Sequence, residues 1–256
     1  MRPTRPAPLA SADRLTPLIF DELDSTNAEA RRRAEAGETG PLWIAARRQT
    51  AGRGRYGRSW EAPAGNLAAT LLTTTDKPAG EAAQISFVAA LAVFDLAQTC
   101  VPRALLSLKW PNDLLVGGAK ASGVLIESGP TGSGLWLAVG VGVNLVDHPQ
   151  RTERPATHFG AHLRPDALAA PTFDAALIVL GEAFDRWRTL WERAGFARIR
   201  DAWTERTDSL GRPAVARLGQ ETVHGVAEAL ELDGALRLRL PDGAVRRITA
   251  GDVFTR

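Results

Sequence analysis

A chain of 256 residues, 45% hydrophobic and 23% charged, suits a full catalytic domain with a small appendage, or one large domain. Its formal net charge of +2 does not by itself imply nucleic acid, and its one cysteine, Cys100, excludes an intrachain disulfide and a cysteine-based zinc site. The longest apolar run, 87–94, stops at Asp95; it is too short to span a bilayer, so a cytoplasmic location with no membrane partner is expected.

Residues 1–17 are rich in arginine, proline and alanine. They lack the apolar segment of a secretory signal and are expected to form a flexible tail. A strand is expected over 18–21. Thr26-Asn27-Ala28-Glu29 reads as a capping box opening a helix that runs to Ala36 and stops at Gly37. Ser25, Thr26 and Asn27 place two hydroxyls and an amide at that junction, a composition suited to capping and also to holding a polar ligand. A strand over 42–47 leads to Gln49, either an ordinary loop residue or a paired donor and acceptor for a ligand.

The next stretch, Gly52-Arg53-Gly54-Arg55-Tyr56-Gly57-Arg58-Ser59-Trp60, couples a flexible backbone to dense positive charge. Such a loop can fold over an anion and is expected to order when the anion arrives. Its spacing matches both a dinucleotide fingerprint and a P-loop carrying Arg58 in place of lysine. Both motifs need a helix to start at the last glycine. Here Pro63 and Gly65 follow instead, so the segment reads as a loop.

A strand over 67–74 and a helix over 81–101, with Ile85, Val88, Ala92, Val93 and Leu96 on one face, come next. A strand over 105–109 ends at Lys109-Trp110-Pro111-Asn112-Asp113, where proline forces an extended exit or an Asx turn. A hairpin turning at Gly117-Gly118 leads through Lys120-Ala121-Ser122-Gly123 into a strand over 122–127. A strand over 135–143 ends in Gly140-Val141-Gly142-Val143-Asn144, whose glycines fit close approach of a ligand or backbone.

Arginine carries nearly all the positive charge, and lysine occurs only at 77, 109 and 120. Lys109 and Lys120 therefore point to a need for a compact ammonium, although an edge lysine such as Lys120 can also simply guard against aggregation. With Asp113 on a neighbouring strand end they would make a cationic pocket holding one candidate base.

Residues 146–171 read as loop. His148, His158, His162 and His224 show no metalloprotein spacing; the pair four apart, His158 and His162, lies in a loop beside Pro165. Phe173, Leu177, Leu180, Phe184, Trp187 and Trp191 form the stripe of an amphipathic helix, which suits packing, and a second helix follows over 196–206. Strands over 214–218, 222–232, 235–240 and 245–249, with turns at Asp233-Gly234 and Pro241-Asp242-Gly243, indicate a small antiparallel barrel. On the residues alone the arginine loop fits an anionic small molecule, a solvated turn, or RNA.

Five blocks in this order resemble biotin protein ligases: Ser25-Thr26-Asn27, Gln49-Thr50-Ala51-Gly52-Arg53-Gly54-Arg55, Lys109-Trp110-Pro111-Asn112-Asp113, Lys120-Ala121-Ser122-Gly123 and Gly142-Val143-Asn144. The resemblance implies an α+β fold: a mixed β-sheet flanked by helices over 18–207, the catalytic domain, and an SH3-like β-barrel over 208–256. It implies activation of biotin with ATP and Mg2+ to biotinyl-5'-AMP, then transfer to a lysine of a biotin carboxyl carrier protein. No tightly bound prosthetic group is expected.

By the same resemblance Ser25, Thr26, Asn27 and Gln49 would hold the ureido ring. Gly52, Arg53, Gly54 and Arg55 would close over biotin and adenylate. Lys120 would meet the biotin carboxylate, and Asp113 would orient or deprotonate the incoming lysine. Lys109 and Arg55 join them as catalytic residues. Arg53, Arg55, Arg58, Trp60, Asn112 and Asn144 would hold the nucleotide, with magnesium near Asn144 and Trp60 packed beneath the loop. Tyr56 departs from the arginine found in many members, and Ala121-Ser122 replaces a more apolar pair. Members that also repress transcription carry a helix-turn-helix domain, for which 1–17 is too short, so no DNA partner is expected; a homodimer is compatible. A lipoate or octanoate ligase is the sister alternative, and an RNA-binding module the alternative from another class.

Overall fold

The computed structural model describes residues 16–132, 134–150, 152 and 154–255. The expected tail falls, over 1–15, outside the described residues. A seven-stranded mixed sheet forms the body, in the order β1-β2-β3-β7-β6-β5-β4. Its strands are β1 (Leu18–Leu23), β2 (Leu42–Gln49), β3 (Leu67–Thr75), β4 (Leu106–Lys109), β5 (Asp113–Val116), β6 (Ala119–Thr131) and β7 (Gly134–Val143). Only β1 and β2 pair in parallel, and every other pairing is antiparallel.

Alternation along these strands feeds two cores. Ile44, Leu72 and Ala138 face one way with Ala30 of helix α1 (Thr26–Glu35). Ala45, Leu71 and Val139 face the other, as the period of two requires. On that second face lie α3 (Ile85–Gln98), preceded by the short α2 (Ala79–Ala82), then α4 (Phe173–Ala194) and α5 (Phe196–Thr204). The apolar stretch Ala79–Gln98 is long enough to cross a membrane by composition, yet it is mostly buried between the sheet and α4. The expected single helix over 81–101 is thus a short turn of helix and a core helix.

The stripe on α4 packs as its spacing implies: Phe173, Leu177, Leu180, Phe184 and Trp191 are buried, and the Trp191 indole donates to Gln84 Oε1 at 3.2 Å. Thr172 caps its start, and Gly195, at φ 72°, ends it. A left-handed residue favours glycine at that position.

The C-terminal region is a five-stranded antiparallel sheet ordered β11-β10-β9-β8-β12. It comprises β8 (Pro213–Leu218), β9 (Glu221–Leu230), β10 (Leu236–Arg239), β11 (Val245–Ile248) and β12 (Asp252–Thr255). Among the described residues no pairing joins β11 to β12, so where a barrel was expected the region is a small antiparallel sheet without strand closure. Strand β12 has no precedent in the local pattern. Four residues after Gly251 carry little periodicity, and β12 exists because it pairs with the distant β8.

Candidate active site

The five sequence blocks are scattered over more than a hundred residues, and the sheet order gathers them. Ser25, Thr26, Asn27, Gln49, Arg53, Gly54, Arg55, Arg58, Trp60, Asn112, Asp113, Lys120, Gly142 and Asn144 line one cleft of about 460 Å3. Of the expected site residues, Lys109 and Gly52 stand behind its lining: Lys109 reaches it through Asp113, and Gly52 through Trp60. The crossover that puts β7 between β3 and β6 is what brings the block after β7 beside the one before α1.

One end of the cleft is a neutral polar shelf. The helix cap is Ser25, whose Oγ accepts from the Ala28 N–H, so the capping box expected at Thr26 does not form. Glu29 pairs instead with Arg32 and Arg33. Thr26, freed of capping, donates its backbone N–H to Gln49 Oε1 at 2.8 Å. Asn27 accepts at Oδ1 from the Thr70 hydroxyl, 2.7 Å, and donates from Nδ2 to Glu127 at 2.8 Å. Each group is fixed by a partner, which sets the direction of the remaining lone pairs and protons. Gly140 is required here, because a Cβ at that position would lie 2.0 Å from Asn27 Oδ1.

The arginine loop is a miniature hairpin. Arg53 bridges Ser59, Trp60 N–H donates to Gly52 O at 2.9 Å, and Gly54 N–H donates to Arg58 O at 2.7 Å. Tyr56 sits at its tip with φ 56°, a left-handed conformation uncommon for an aromatic residue. The loop thus carries hydrogen bonds of its own. Arg55 donates to Asn112 Oδ1 and to Gly251 O, each at 3.4 Å. Arg53 is exposed and has no side-chain partner among the described residues. The Trp60 ring lies so close to β7 that a Cβ at Gly142 would meet it at 2.3 Å.

The floor is a charge cluster. Lys120 Nζ lies 2.5 Å from Asp113 Oδ1, and Lys109 Nζ lies 3.6 Å from Oδ2. Burial alone would raise the Asp113 pKa, but the charges of Lys120 and Lys109 outweigh it and hold the carboxyl below its ordinary value. Burial pushes Lys109 down to about 8, with Asp113 opposing the change. An aspartate flanked by two ammonium groups is a poor proton acceptor, which favours orienting over deprotonating for this residue. Asn144 is buried, donates from Nδ2 to Thr157 O at 2.9 Å, and leaves Oδ1 without a partner among the described residues.

Comparison with known proteins gives the same architecture a family. Residues 20–144 match the biotin/lipoate A/B protein ligase family, and residues 209–256 match the biotin protein ligase C-terminal domain. A biotin–[acetyl-CoA-carboxylase] ligase of Paracoccus denitrificans is 44% identical over 92% of this chain and 99% of its own length. The chain belongs to the biotin protein ligase family.

The Mycobacterium tuberculosis member is 32% identical over 92% of this chain and 87% of its own. The biotin protein ligase of Aquifex aeolicus, solved in complex with biotin and ATP, superposes with a TM-score of 0.77 at 23% identity. It covers 93% of this chain and 98% of that one, a likeness of fold.

Within this biotin protein ligase fold, several residues in the cleft or behind its lining escaped sequence reasoning. Thr70 is fully buried between the apolar residues Leu67, Ala68, Ala69, Leu71 and Leu72, and a polar residue in such a run was the available signal. Glu127 lies at the end of an expected strand and gave none. Asp252, in the unforeseen β12, pairs with Arg58 at 3.0 Å and Arg154 at 3.8 Å. Phe254 is approached by the cationic groups of Arg154, Arg217 and Lys109, at 3.8, 4.6 and 6.0 Å from its ring.

Proposed function

We propose that this chain activates biotin with ATP as biotinyl-5'-AMP and transfers the biotinyl group to a lysine of a biotin carboxyl carrier protein. The observation that carries the reading is the convergence of the five blocks on one cleft, neutral and polar at one end and cationic at the other. A bicyclic ureido ring needs donors and acceptors without charge, and the shelf of Ser25, Thr26, Asn27 and Gln49 offers them. A carboxylate approaching a polyphosphate needs positive charge to offset their repulsion, and Arg53, Arg55, Arg58 and Lys120 offer that.

In the first step a biotin carboxylate oxygen bonds to the α-phosphorus of ATP and pyrophosphate leaves. Lys120 moves from Asp113 to the carboxylate and stabilises the charge that develops on the acyl-phosphate oxygens. In the second step the carrier amine bonds to the acyl carbon, the bond to AMP breaks, and the amine passes its proton to the phosphate of the departing AMP. Asp113, kept ionised by Lys109, orients that amine. The arginine hairpin and Trp60 cover the mixed anhydride and exclude water. Arg53, Arg55, Arg58, Asn112 and Asn144 hold the nucleotide.

Magnesium fits the set at one place. Asn144 Oδ1 is a buried, unpartnered oxygen on the cleft wall, the kind of donor a hard cation takes, whereas both Asp113 oxygens are covered by lysines. When bound with ATP, the ion neutralises phosphate charge. We also propose that 18–207 acts as the catalytic domain and 208–256 as a C-terminal domain, in line with the two family spans. A cytoplasmic setting and a carrier protein as partner belong to the same proposal.

ATP–pyrophosphate exchange with biotin, lipoate, octanoate and no acid is the test. Exchange with biotin alone is expected. Exchange with lipoate or octanoate instead reassigns the acid, and no exchange by folded protein with any acid overturns the proposal.

A further inference from the structure

The loop after β7 returns along the cleft and brings together side chains that the spacing of the chain keeps apart. Among the described residues, one group of potential metal ligands comes together: Asp147, His148 and His158, whose ligand atoms all lie within 4.8 Å of one another. The two imidazoles face each other through like atoms, Nδ1 to Nδ1, at 2.9 Å. Two nitrogens on a tetrahedral zinc ion, at the usual bond length, stand about 3.3 Å apart. To admit one, the rings exchange their mutual hydrogen bond for the ion and turn both lone pairs toward it, and the Asp147 carboxylate, within 4.8 Å, closes in. The spacing along the chain gave no sign of this group, because the two ends of the excursion between His148 and His158 meet only in space.

The framework that holds these ligands is already in place. Asn66 Oδ1 accepts the backbone N–H groups of Leu145, Val146 and Asp147, at 2.9, 3.1 and 3.4 Å. Its amide nitrogen donates to Asp147 O at 2.8 Å. The Asp147 carboxylate is turned by the His148 N–H, 2.7 Å. On the other arm, residues either side of His158 are tied to the sheet: Thr157 N–H to Lys120 O at 2.9 Å and Phe159 N–H to Asn144 O at 3.0 Å. Ligands on anchored backbone lose little freedom when an ion binds. His148 and His158 are half-buried and Asp147 is exposed, so an ion has a way in.

We propose that Asp147, His148 and His158 form a binding site for a divalent cation of the zinc class, with two imidazole nitrogens, one carboxylate oxygen and water as ligands. This donor set suits zinc, while magnesium and calcium require an all-oxygen shell. A bound ion would staple the two ends of a loop from which Pro149, Thr152 and Arg154 reach the cleft. It would thus brace the wall beside Asn144. The site is separate from the proposed ligase chemistry, because it is built from Asp147, His148 and His158.

The test is a titration of untagged, metal-stripped full-length protein with zinc, followed by calorimetry and by nitrogen-15 spectra of the four histidines. One ion per chain is expected, with the Nδ1 signals of His148 and His158 displaced and those of His162 and His224 unmoved. His148→Ala and His158→Ala should each weaken binding by more than about 100-fold, beyond what loss of an outer-sphere partner costs. His224→Ala should leave it unchanged. Thermal unfolding without zinc shows that each variant is folded. Undiminished binding in the double variant, displaced signals at His162 or His224, or no stoichiometric binding by the wild type would overturn the proposal.

Discussion

The buried carboxylate of Asp113 lies between two ammonium groups, and its titration is linked to that of Lys109. Lys109 has its pKa carried from 10.5 to about 8, chiefly by burial. The unfolded chain therefore binds more protons than the folded one between those values, and stability should rise as pH climbs through that window. Asp113 acts in the opposite range. Its folded value lies below 3.8, so its contribution is present above that pH and is lost as pH falls through the folded value. Urea unfolding from about pH 7 to 10 should show an upward slope in the wild type that Lys109→Met reduces; an equal slope in both would detach the effect from Lys109. Lys120 belongs to the chemistry. If it stabilises developing charge, Lys120→Met should slow adenylation by roughly 10²–10³-fold, read as single-turnover formation of the adenylate. Unchanged rates would remove Lys120 from the mechanism. Its residue type and place were legible because lysine is scarce in an arginine-rich chain, whereas its pairing with Asp113 required the β5–β6 hairpin to fold.

The elements around the cleft hold these residues through close contacts. The Trp60 ring rests on β7 because Gly142 has no side chain, and a Cβ there would fall 2.3 Å from the ring. Gly142→Ala should lift Trp60, cost about 1–3 kcal/mol through overpacking, and weaken biotin retention. Calorimetry of biotin binding and tryptophan fluorescence check this, and an unmoved tryptophan signal with wild-type affinity would contradict it. The glycines of 140–142 were legible as sites of close approach, but what approaches them was not. The Asn27 amide at Gly140 and the Trp60 ring at Gly142 come from blocks about a hundred residues upstream. Helix α4 was legible in full because a 3.6-residue stripe is a local property. The start of α1 was misread by one residue, since Ser25 and Thr26 are both competent caps and the choice went to the residue with extended backbone.

At the scale of the whole molecule, the C-terminal sheet reaches the arginine hairpin. Gly251 accepts from Arg55, and Asp252 pairs with Arg58 and Arg154. These ion pairs are partly exposed and worth little to stability, so their value lies in holding the hairpin over the cleft. Asp252→Ala should leave thermal stability nearly unchanged while raising release of free adenylate. Arg55→Gly, which removes the hairpin's own reach to Asn112 and Gly251, should raise it further and label bystander proteins indiscriminately. Adenylate release and off-target labelling equal to wild type in both variants would sink the sealing role. The sequence by itself determined the inventory: five blocks with their charges, the strand and helix periods, the turns at Asp233-Gly234 and Asp242-Gly243, and the family they resemble. All of these are set by local preference or composition over a few residues. The tertiary structure alone decided who meets whom: Thr70 with Asn27, Asp252 with Arg58, His148 with His158, and β12 with β8. Such contacts depend on strand order and loop closure, and chain-local spacing carries no information about either.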